Sequence, residues 1–205
     1  YKPSIEAACK TDFAMVGGGA VQDNLWTDTG VPCGLIDVAG FAVTPEKAGN
    51  AGQTPEESRT VQPIPNPGDR YIVAGLKLVD KAYPGALDKT GFMTADFQTL
   101  AAQYSKESQG FEAEGATIVS KGVYGVNGEA NWKPFATAMA NDDVTFQKFI
   151  GEPGNGAAYE QARAQVGFDP EVRYYETNFY DQGFIDAGAK AVAGALISRG
   201  GIPLE

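Results

Sequence analysis

Histidine is absent from the 205 residues of this chain. Because histidine supplies the base in Ser-His-Asp and Cys-His catalysis and is a common ligand of zinc and haem iron, its absence excludes those sites. Basic residues are scarce as well: 16 Lys and Arg against 26 Asp and Glu give a formal net charge of −10. Such a chain repels phosphate backbones, so we expect no nucleic-acid partner. We also predict no cofactor and no metal site.

Long hydrophobic runs are also absent, since no apolar stretch approaches the ~18 residues that a membrane-spanning helix requires. The chain opens on Tyr1 rather than on Met, so the lack of a signal peptide says nothing about its compartment. Cysteine occurs twice, as Cys9 and Cys33, and neither lies in a Cys-x-x-Cys motif. The sequence leaves two alternatives open for this pair, a disulfide or two free buried thiols.

The composition is otherwise that of a globular protein. Hydrophobic residues make up 43% and charged residues 20%, which argues against a disordered or fibrous chain. A length of 205 residues allows one large domain or two small ones, and it is sufficient to bury a core. The 26 Gly and 12 Pro indicate that the chain turns often.

Short apolar segments alternate with helical patterns along the chain. Most of the apolar segments are continuous, which is typical of strands in parallel sheets covered on both faces. Strands are predicted at 13–16, 32–38, 60–62, 91–94, 117–119, 144–150, 172–175 and 191–197, and helices at 70–83, 97–114, 131–140 and 155–166. Strand, helix and strand at this spacing form the βαβ signature, so we predict an α/β fold with parallel sheets.

Two turn-rich segments separate these elements. Residues 50–57 are polar and are predicted to form a surface loop. The proline cluster at 63–67 stops a strand before a new helix, and it marks either a crossover between two domains or an ordinary loop. We expect Trp26, Trp132 and Phe135 to lie in the core rather than in a site.

Two short motifs suggest a chemistry that their details do not support. Gly17-Gly18-Gly19 follows a predicted strand, but a G-x-G-x-x-G fingerprint would need glycine where the chain has Gln22. Glycines here would still let a ligand approach backbone N–H groups, unless they form only a tight turn. Asp28-Thr29-Gly30 matches the aspartic-protease triplet but occurs once, whereas that chemistry needs two carboxylates that share a proton.

Two carboxylates lie where predicted strands end. Glu152 follows the strand at 144–150, and Glu176 follows the strand at 172–175. The carboxyl ends of parallel strands face the ligand crevice, and carboxylates and aromatic rings both attract ammonium groups. These acids therefore predict a site for a cationic or zwitterionic organic ligand, unless they only cap the following helices.

Four co-linear stretches resemble the type I periplasmic substrate-binding proteins of ABC importers, in the group that binds branched-chain amino acids. They are FAMVGGGAVQDN at 13–24, TGVPCGLIDVAGFAVTPEKA at 29–48, GEANWKPFATAM at 128–139 and FIGEPGNGAAYEQARAQVGFDPEV at 149–172. The resemblance runs along nearly the whole chain. Family members are close to twice as long, so the resemblance implies that the chain is a fragment.

The resemblance implies a fold like that of type I periplasmic binding proteins, with two lobes built on parallel Rossmann-like sheets flanked by helices. Residues 1–66 would form a partial first lobe, 67–200 the second lobe, and 201–205 the start of the hinge return. An incomplete first lobe would expose apolar surface. The resemblance also favours a disulfide between Cys9 and Cys33, because extracytoplasmic members carry disulfides in this lobe.

The resemblance also implies a set of ligand-binding residues. The first lobe would offer free backbone N–H groups in two strand-tip turns, suited to a ligand carboxylate, and the second lobe would offer side chains. The set is Gly18, Gly19, Ala20, Ala39, Gly40 and Phe41 in the first lobe, with Phe97, Glu152 and Glu176 in the second. Gly19-Ala20 occupies a turn where the family commonly has Ser, and Phe97 a position where it often has Tyr. Each departure removes a hydroxyl donor, so the resemblance does not determine which ligand the chain binds.

The function that follows is binding without chemistry, with no catalytic residue. The chain would be the solute-binding component of an ABC importer and would hold an amino acid or similar small polar solute in a cleft between lobes that close by a hinge. Its partner would be an ABC permease in the membrane, and its location periplasmic or extracytoplasmic, with or without a lipid anchor.

Two alternatives remain open at this stage, because a fold does not determine a function. One is the extracellular ligand-binding sensor domain of a receptor with the same two-lobed fold. The other is a flavodoxin-like α/β enzyme, for which Asp96, Glu152 and Glu176 are the candidate nucleophiles or bases.

Overall fold

The computed structural model describes residues 1–20, 22–49, 55–63, 66 and 68–199. By its internal contacts the chain divides into two compact units. The first unit comprises Tyr1–Ile72 and Ala101–Gly110, and the second comprises Val73–Leu100 and the residues from Phe111 onwards. The division between residues 66 and 67 that the resemblance implies stays a prediction, and residues 201–205 lie outside the described residues.

The first unit contains a parallel sheet in the order β1-β2-β3. Its strands are short: β1 is Ala14–Val16, β2 is Ile36–Val38 and β3 is Thr60–Val61. The helices between and before them are α1 Lys2–Thr11, α2 Leu25–Thr29, α3 Pro45–Ala48 and α4 Pro55–Ser58. Proline lies in the first turn of α1 and of α3, where its missing N–H would have no helical partner.

The core of the first unit forms around Trp26 of α2. Ile5 and Trp26 are fully buried, and Leu35 is nearly so. The indole N–H of Trp26 donates a hydrogen bond to the carbonyl of Ser58 at 2.9 Å, so its polar group is satisfied in the core. The prediction that Trp26 is a core residue is therefore confirmed.

A disulfide joins Cys9 of α1 to Cys33 in the turn before β2, with 5.8 Å between the two Cα atoms. Because the bridge spans a sequence separation of 24, it restricts the unfolded chain. We expect reduction to lower the free energy of unfolding by about 3 kcal/mol. Urea unfolding with and without reductant measures this, and a Cys9→Ser/Cys33→Ser variant should match the reduced wild type. An unfolding midpoint that does not respond to reductant would contradict the prediction.

The second unit contains a parallel sheet in the order β5-β4-β6-β7-β8. Its strands are β4 Thr90–Asp96, β5 Ile118–Gly125, β6 Phe146–Phe149, β7 Val172–Tyr175 and β8 Leu196–Ile197. The α-helices that follow in the chain are α5 Ala74–Ala82, α6 Gln98–Ala113, α7 Lys133–Asn141, α8 Pro153–Val166 and α9 Gln182–Gly188, and residues 101–110 of α6 belong to the first unit. Gly167 ends α8 with a φ of +74°, in the left-handed region that favours glycine.

The central strands of this sheet are buried. β6 and β7 are buried at every position and β4 at all but its last, so none of them shows the apolar–polar alternation of a half-exposed strand. Five of their buried side chains are polar or charged: Thr90, Thr94, Gln147, Lys148 and Arg173. A buried polar group is costly without a partner, and within the described residues each of these side chains has one, although Oε1 of Gln147 itself has none.

Aromatic rings fill the core around the carboxyl end of β6. Phe149 is fully buried, and neighbouring ring centroids lie 5.3–6.3 Å from its own, in Tyr124, Trp132, Tyr159, Tyr175 and Phe179. Trp132 is buried, as predicted, and Phe135 is partly buried beside it, with 5.9 Å between their ring centroids.

Several predicted boundaries are wrong. The strand predicted at 32–38 begins only at Ile36, because residues 31–34 form a turn. In the segment predicted as a strand at 191–197, a 3-10 helix (Ala189–Val192) and a turn precede the two residues of β8. Of the loop predicted at 50–57, residues 55–57 belong to α4, and residues 50–54 lie outside the described residues. Helices α1, α2, α3 and α9 were not predicted.

Large apolar side chains are exposed at the β1 edge of the first sheet. Phe13 is 89% exposed and Val16 is 79% exposed. The expectation of exposed apolar surface in the 1–66 segment is therefore confirmed at these two positions. Within the described part of the chain, no helix combines the length and the apolar character that crossing a bilayer requires.

Candidate functional site

Two turns lie side by side at the carboxyl ends of β1 and β2. The first runs from Gly17 to Ala20 and the second from Ala39 to Phe41, and the second begins where β2 ends. The N–H of Gly40 donates to the carbonyl of Gly18 at 2.8 Å, which fixes one turn against the other. Gly17 has a φ of +78°, so the first turn requires glycine at its start.

The backbone N–H groups of these turns differ in what they bind. Those of Ala39 and Gly40 donate to the carbonyls of Val61 and Gly18 at 3.0 and 2.8 Å, so the expectation that they are free is wrong. The hydrogen bond of Ala39 follows from the sheet. β2 lies between β1 and β3, and its hydrogen bonds to β3 continue into the turn as far as Ala39. In the described part of the chain, the N–H groups still without an acceptor are those of Gly18, Gly19, Ala20 and Phe41.

Asp23 fixes the position of the second turn. Its buried carboxylate accepts hydrogen bonds from the N–H groups of Val43 and Thr44 and from the Thr44 hydroxyl, at 2.6, 3.1 and 2.6 Å. Burial raises the pKa of this carboxyl, and the three hydrogen bonds oppose that shift. Sequence reasoning missed Asp23, because its partners Val43 and Thr44 lie 20 and 21 residues further along the chain.

A buried ion pair lies beneath the first turn. Asp37 of β2 and Lys47 of α3 form an ion pair with both side chains fully buried, and Lys47 also donates to the Tyr1 hydroxyl at 2.6 Å. A Cβ built on Gly18 would lie 3.4 Å from the Asp37 carboxylate, so this carboxylate lies close to the first turn. The sequence analysis did not identify Asp37 or Lys47.

In the second unit, the side chains predicted to bind ligand lie at the carboxyl ends of neighbouring strands. Phe97 follows β4, Glu152 follows β6 and Glu176 follows β7, and these three strands are adjacent and parallel. From β4 the chain passes to β5 on one side of the sheet, and from β6 it passes to β7 on the other. Ligands of open α/β sheets bind at such a reversal of strand order, which places the candidate crevice between the loops that carry Phe97 and Glu152.

Glu152 has a free carboxylate. It is exposed, it occupies the N-cap position of α8 without a side-chain capping bond, and it forms no ion pair within the described residues. Glu152 also affects Tyr124. The pKa of the Tyr124 phenol is raised, mainly by burial and secondly by the negative charge of Glu152. Glu152 therefore has the properties that an acceptor for a ligand ammonium group needs.

Glu176, unlike Glu152, has a charged partner, because its carboxylate forms an ion pair with Lys148 of β6. The Lys148 side chain is fully buried, and its ammonium nitrogen lies 5.0 Å from the ring centroid of Tyr174. Glu176 therefore neutralises a buried cation at the sheet edge. Phe97 is half-buried, and it has no polar side-chain group to offer.

A cavity of about 300 Å³ lies elsewhere in the second unit, between β5 and α7. It is lined by side chains such as Val123, Phe135 and Met139, and none of the predicted site residues contributes to it. No group of His, Cys, Asp or Glu side chains suited to hold a metal ion occurs in the described residues.

A scan against protein-family models and a search of curated proteins found no match for the chain. Solved structures do match it. A periplasmic binding protein type 1 from Bordetella pertussis Tohama I is similar with a TM-score of 0.75 and 15% identity, over 96% of this chain and 52% of that chain. The chain has the fold of a type I periplasmic binding protein. The predicted α/β class, with parallel sheets flanked by helices, is thereby confirmed.

Two further structures show the same fold. A leucine-, isoleucine-, valine-, threonine- and alanine-binding protein from Brucella ovis, in a closed conformation, is similar with a TM-score of 0.74 and 15% identity, over 95% of this chain and 50% of that chain. An extracellular ligand-binding receptor from Rhodopseudomonas palustris HaA2 has a TM-score of 0.74 and 13% identity, over 94% and 52%. The chain thus spans about half the length of the type I structures that it matches.

Proposed function

We propose that the chain is the solute-binding component of an ABC importer, located outside the cytoplasm, and that it holds an amino acid or a similar small polar solute without chemical change. The permease of that importer would be its partner. The type I fold supports this proposal, and so do the names of the structures that share it. The observation that carries it is the set of unpaired backbone N–H groups at Gly18, Gly19 and Ala20.

Two kinds of contact support this proposal, and each is described within its own unit. Successive backbone N–H groups in a glycine-rich turn bind anions, so the turn at Gly18–Ala20 suits a ligand carboxylate. The exposed carboxylate of Glu152 suits a ligand ammonium or amide N–H. Glu176 acts through Lys148, since it keeps that buried cation neutralised at the same sheet edge.

Replacing Glu152 by glutamine tests this assignment. We expect the variant to bind amino acids about 1–3 kcal/mol more weakly, or roughly fivefold to a hundredfold in Kd, because a charge-assisted hydrogen bond is lost. Calorimetry against a panel of amino acids and small amides measures the effect. Glu171→Gln is the matched control, since Glu171 is also exposed but precedes β7 at the amino edge of the sheet.

Two results would count against the proposal. If the wild type binds no member of the panel, the solute-binding function is rejected. If Glu152→Gln and Glu171→Gln bind equally to the wild type, the function survives but Glu152 is not a ligand contact.

A second candidate is the ligand-binding domain of a receptor. It is favoured by one of the matched structures, which is named an extracellular ligand-binding receptor. Both candidates bind a solute, so binding measurements cannot separate them. The reading frame and its neighbours can: adjacent permease genes favour the importer, and a membrane-spanning helix joined to a kinase or cyclase in the same frame favours the receptor.

A further inference from the structure

The guanidinium group of Arg199 lies at the carboxyl edge of the second sheet, stacked on an aromatic ring. Arg199 follows β8 by two residues and is partly buried. Its guanidinium carbon lies 3.8 Å from the ring centroid of Tyr180, in the loop after β7. This loop is tied to the end of β8, because the Thr177 hydroxyl donates to the carbonyl of Ser198 at 2.8 Å. The ring therefore fixes where the guanidinium lies.

The hydrogen-bond donors of this guanidinium are not used within the described part of the chain. There Arg199 forms no hydrogen bond and no ion pair, and its Nη1 is buried without an acceptor. A guanidinium carries five N–H donors, and a buried donor without an acceptor destabilises the fold. A bound acceptor would therefore complete the interactions of Arg199.

The acidic side chains of the loop that carries Tyr180 have other partners. Glu176 forms an ion pair with Lys148, and Asp181 caps α9 with its carboxylate. Within the described residues, neither acid pairs with Arg199. The positive charge of Arg199 is therefore available to an anion, and a planar guanidinium matches a carboxylate through two parallel hydrogen bonds.

Arg199 and Glu152 lie at the same edge of the same sheet. Glu152 follows β6 and Arg199 follows β8, and β7 lies between these two strands. Adjacent strands are about 4.8 Å apart, so the carboxyl ends of β6 and β8 are separated by roughly 10 Å. A carboxylate and a guanidinium at this separation can bind an ammonium group and an acidic group of one small molecule.

We propose that Arg199, stacked on Tyr180, binds a carboxylate in the side chain of the solute, so that the solute is an acidic amino acid rather than an apolar one. The guanidinium would donate two hydrogen bonds to that carboxylate, and Glu152 would accept from the ammonium group. This inference rests on the proposed solute-binding function and names the chemical class of the solute.

Free glutamate and glutamine test the proposal by calorimetry on the full chain, because they have nearly the same shape and differ in the charge of the side chain. We expect glutamate to bind roughly tenfold to a hundredfold more tightly, since its carboxylate forms a charge-assisted pair with the guanidinium. Equal Kd values, or tighter binding of glutamine, would overturn the proposal.

Substitutions of Arg199 locate the effect. Arg199→Gln removes the charge and should bring the Kd of glutamate to that of glutamine, whereas Arg199→Lys keeps the charge without the planar group and should retain part of the preference. Lys190→Gln is the matched control and should bind as the wild type does, because Lys190 is an exposed cation of the same unit that precedes β8. A preference for glutamate that persists in Arg199→Gln would overturn the proposal.

Leucine, measured alongside, separates this inference from the proposed function. If the chain binds leucine or glutamine but does not prefer glutamate, the solute-binding function stands and the acidic class is wrong. If it binds no member of the amino acid and amide panel, both proposals fail.

Discussion

Replacing Glu160 by alanine is expected to lower the free energy of unfolding by about 3–5 kcal/mol, one of the two largest effects that the structure predicts. Glu160 of α8 is fully buried, and one carboxylate oxygen accepts hydrogen bonds from the guanidinium groups of Arg163 and Arg173, both at 2.8 Å. The other oxygen accepts from the Tyr175 hydroxyl. Without this carboxylate, the nearly buried Arg173 has no counter-ion among the described residues and Arg163 keeps only the exposed Asp169, at 3.0 Å, which costs far more than the loss of a surface ion pair.

The same network fixes a segment of backbone. Arg163 and Arg173 both donate to the carbonyl of Ala191, at 3.1 and 2.7 Å, and Arg173 also donates to that of Ala193. We therefore expect Glu160→Ala to loosen residues 189–193 as well as to destabilise the fold. Amide hydrogen exchange should increase there before the rest of the sheet opens.

Urea unfolding followed by circular dichroism measures the main effect. Glu171→Ala serves as the control, since that glutamate is exposed and its loss should change the stability by less than about 0.5 kcal/mol. Glu160→Gln retains the shape and loses the charge, so it should fall between the wild type and the alanine variant. A change below about 1 kcal/mol for Glu160→Ala would show that water reaches both guanidinium groups.

The sequence was a good guide wherever a strand is buried on both faces. The segments predicted as strands at 91–94 and 172–175 lack apolar–polar alternation, and the structure buries every one of their positions, as that pattern predicts. The same criterion failed at 191–197, which is equally apolar. There Gly194 adopts a φ of +81° in a turn, and the segment enters the sheet only at Leu196.

Helices were missed for two physical reasons. α2 and α3 have five and four residues, which is too short for a helical period to emerge from the sequence. α9 could have been found, because Asp181 caps it: its carboxylate accepts from the N–H of Phe184 at 3.0 Å. Aspartate three residues before a buried apolar residue is a visible start signal.

For the candidate site too, the sequence predicts some features and not others. Strand order alone brings Phe97, Glu152 and Glu176 to one edge of a sheet, and that placement follows from their positions after successive strands. The ion pair of Glu176 cannot be predicted from the neighbouring sequence, because its partner Lys148 lies on β6, 28 residues away. Long-range pairing of this kind depends on register, which a single sequence does not reveal.

Replacing Lys47 by methionine should likewise lower the free energy of unfolding by about 3–5 kcal/mol, because the Asp37 carboxyl group would lose its partner in the core. Both side chains are fully buried. The ammonium nitrogen of Lys47 also lies 4.1 Å from the ring centroid of Trp26 and binds the Tyr1 hydroxyl, so three contacts hold it. One oxygen of Asp37 already has no hydrogen-bond partner in the described structure, which leaves this carboxylate dependent on Lys47.

A double-mutant cycle separates the pair from the packing around it. We expect Lys47→Met/Asp37→Leu to be less destabilised than the sum of Lys47→Met and Asp37→Leu, because removing both charges leaves no unpaired ion in the core. Additive losses would mean that the two side chains contribute independently. Since the Asp37 carboxylate lies close to the turn at Gly18, solute binding should also be measured for each variant of the cycle. If the turn depends on this pair, each single variant will bind solute more weakly at a temperature where it is still folded, while the exposed control Lys2→Met will bind as the wild type does.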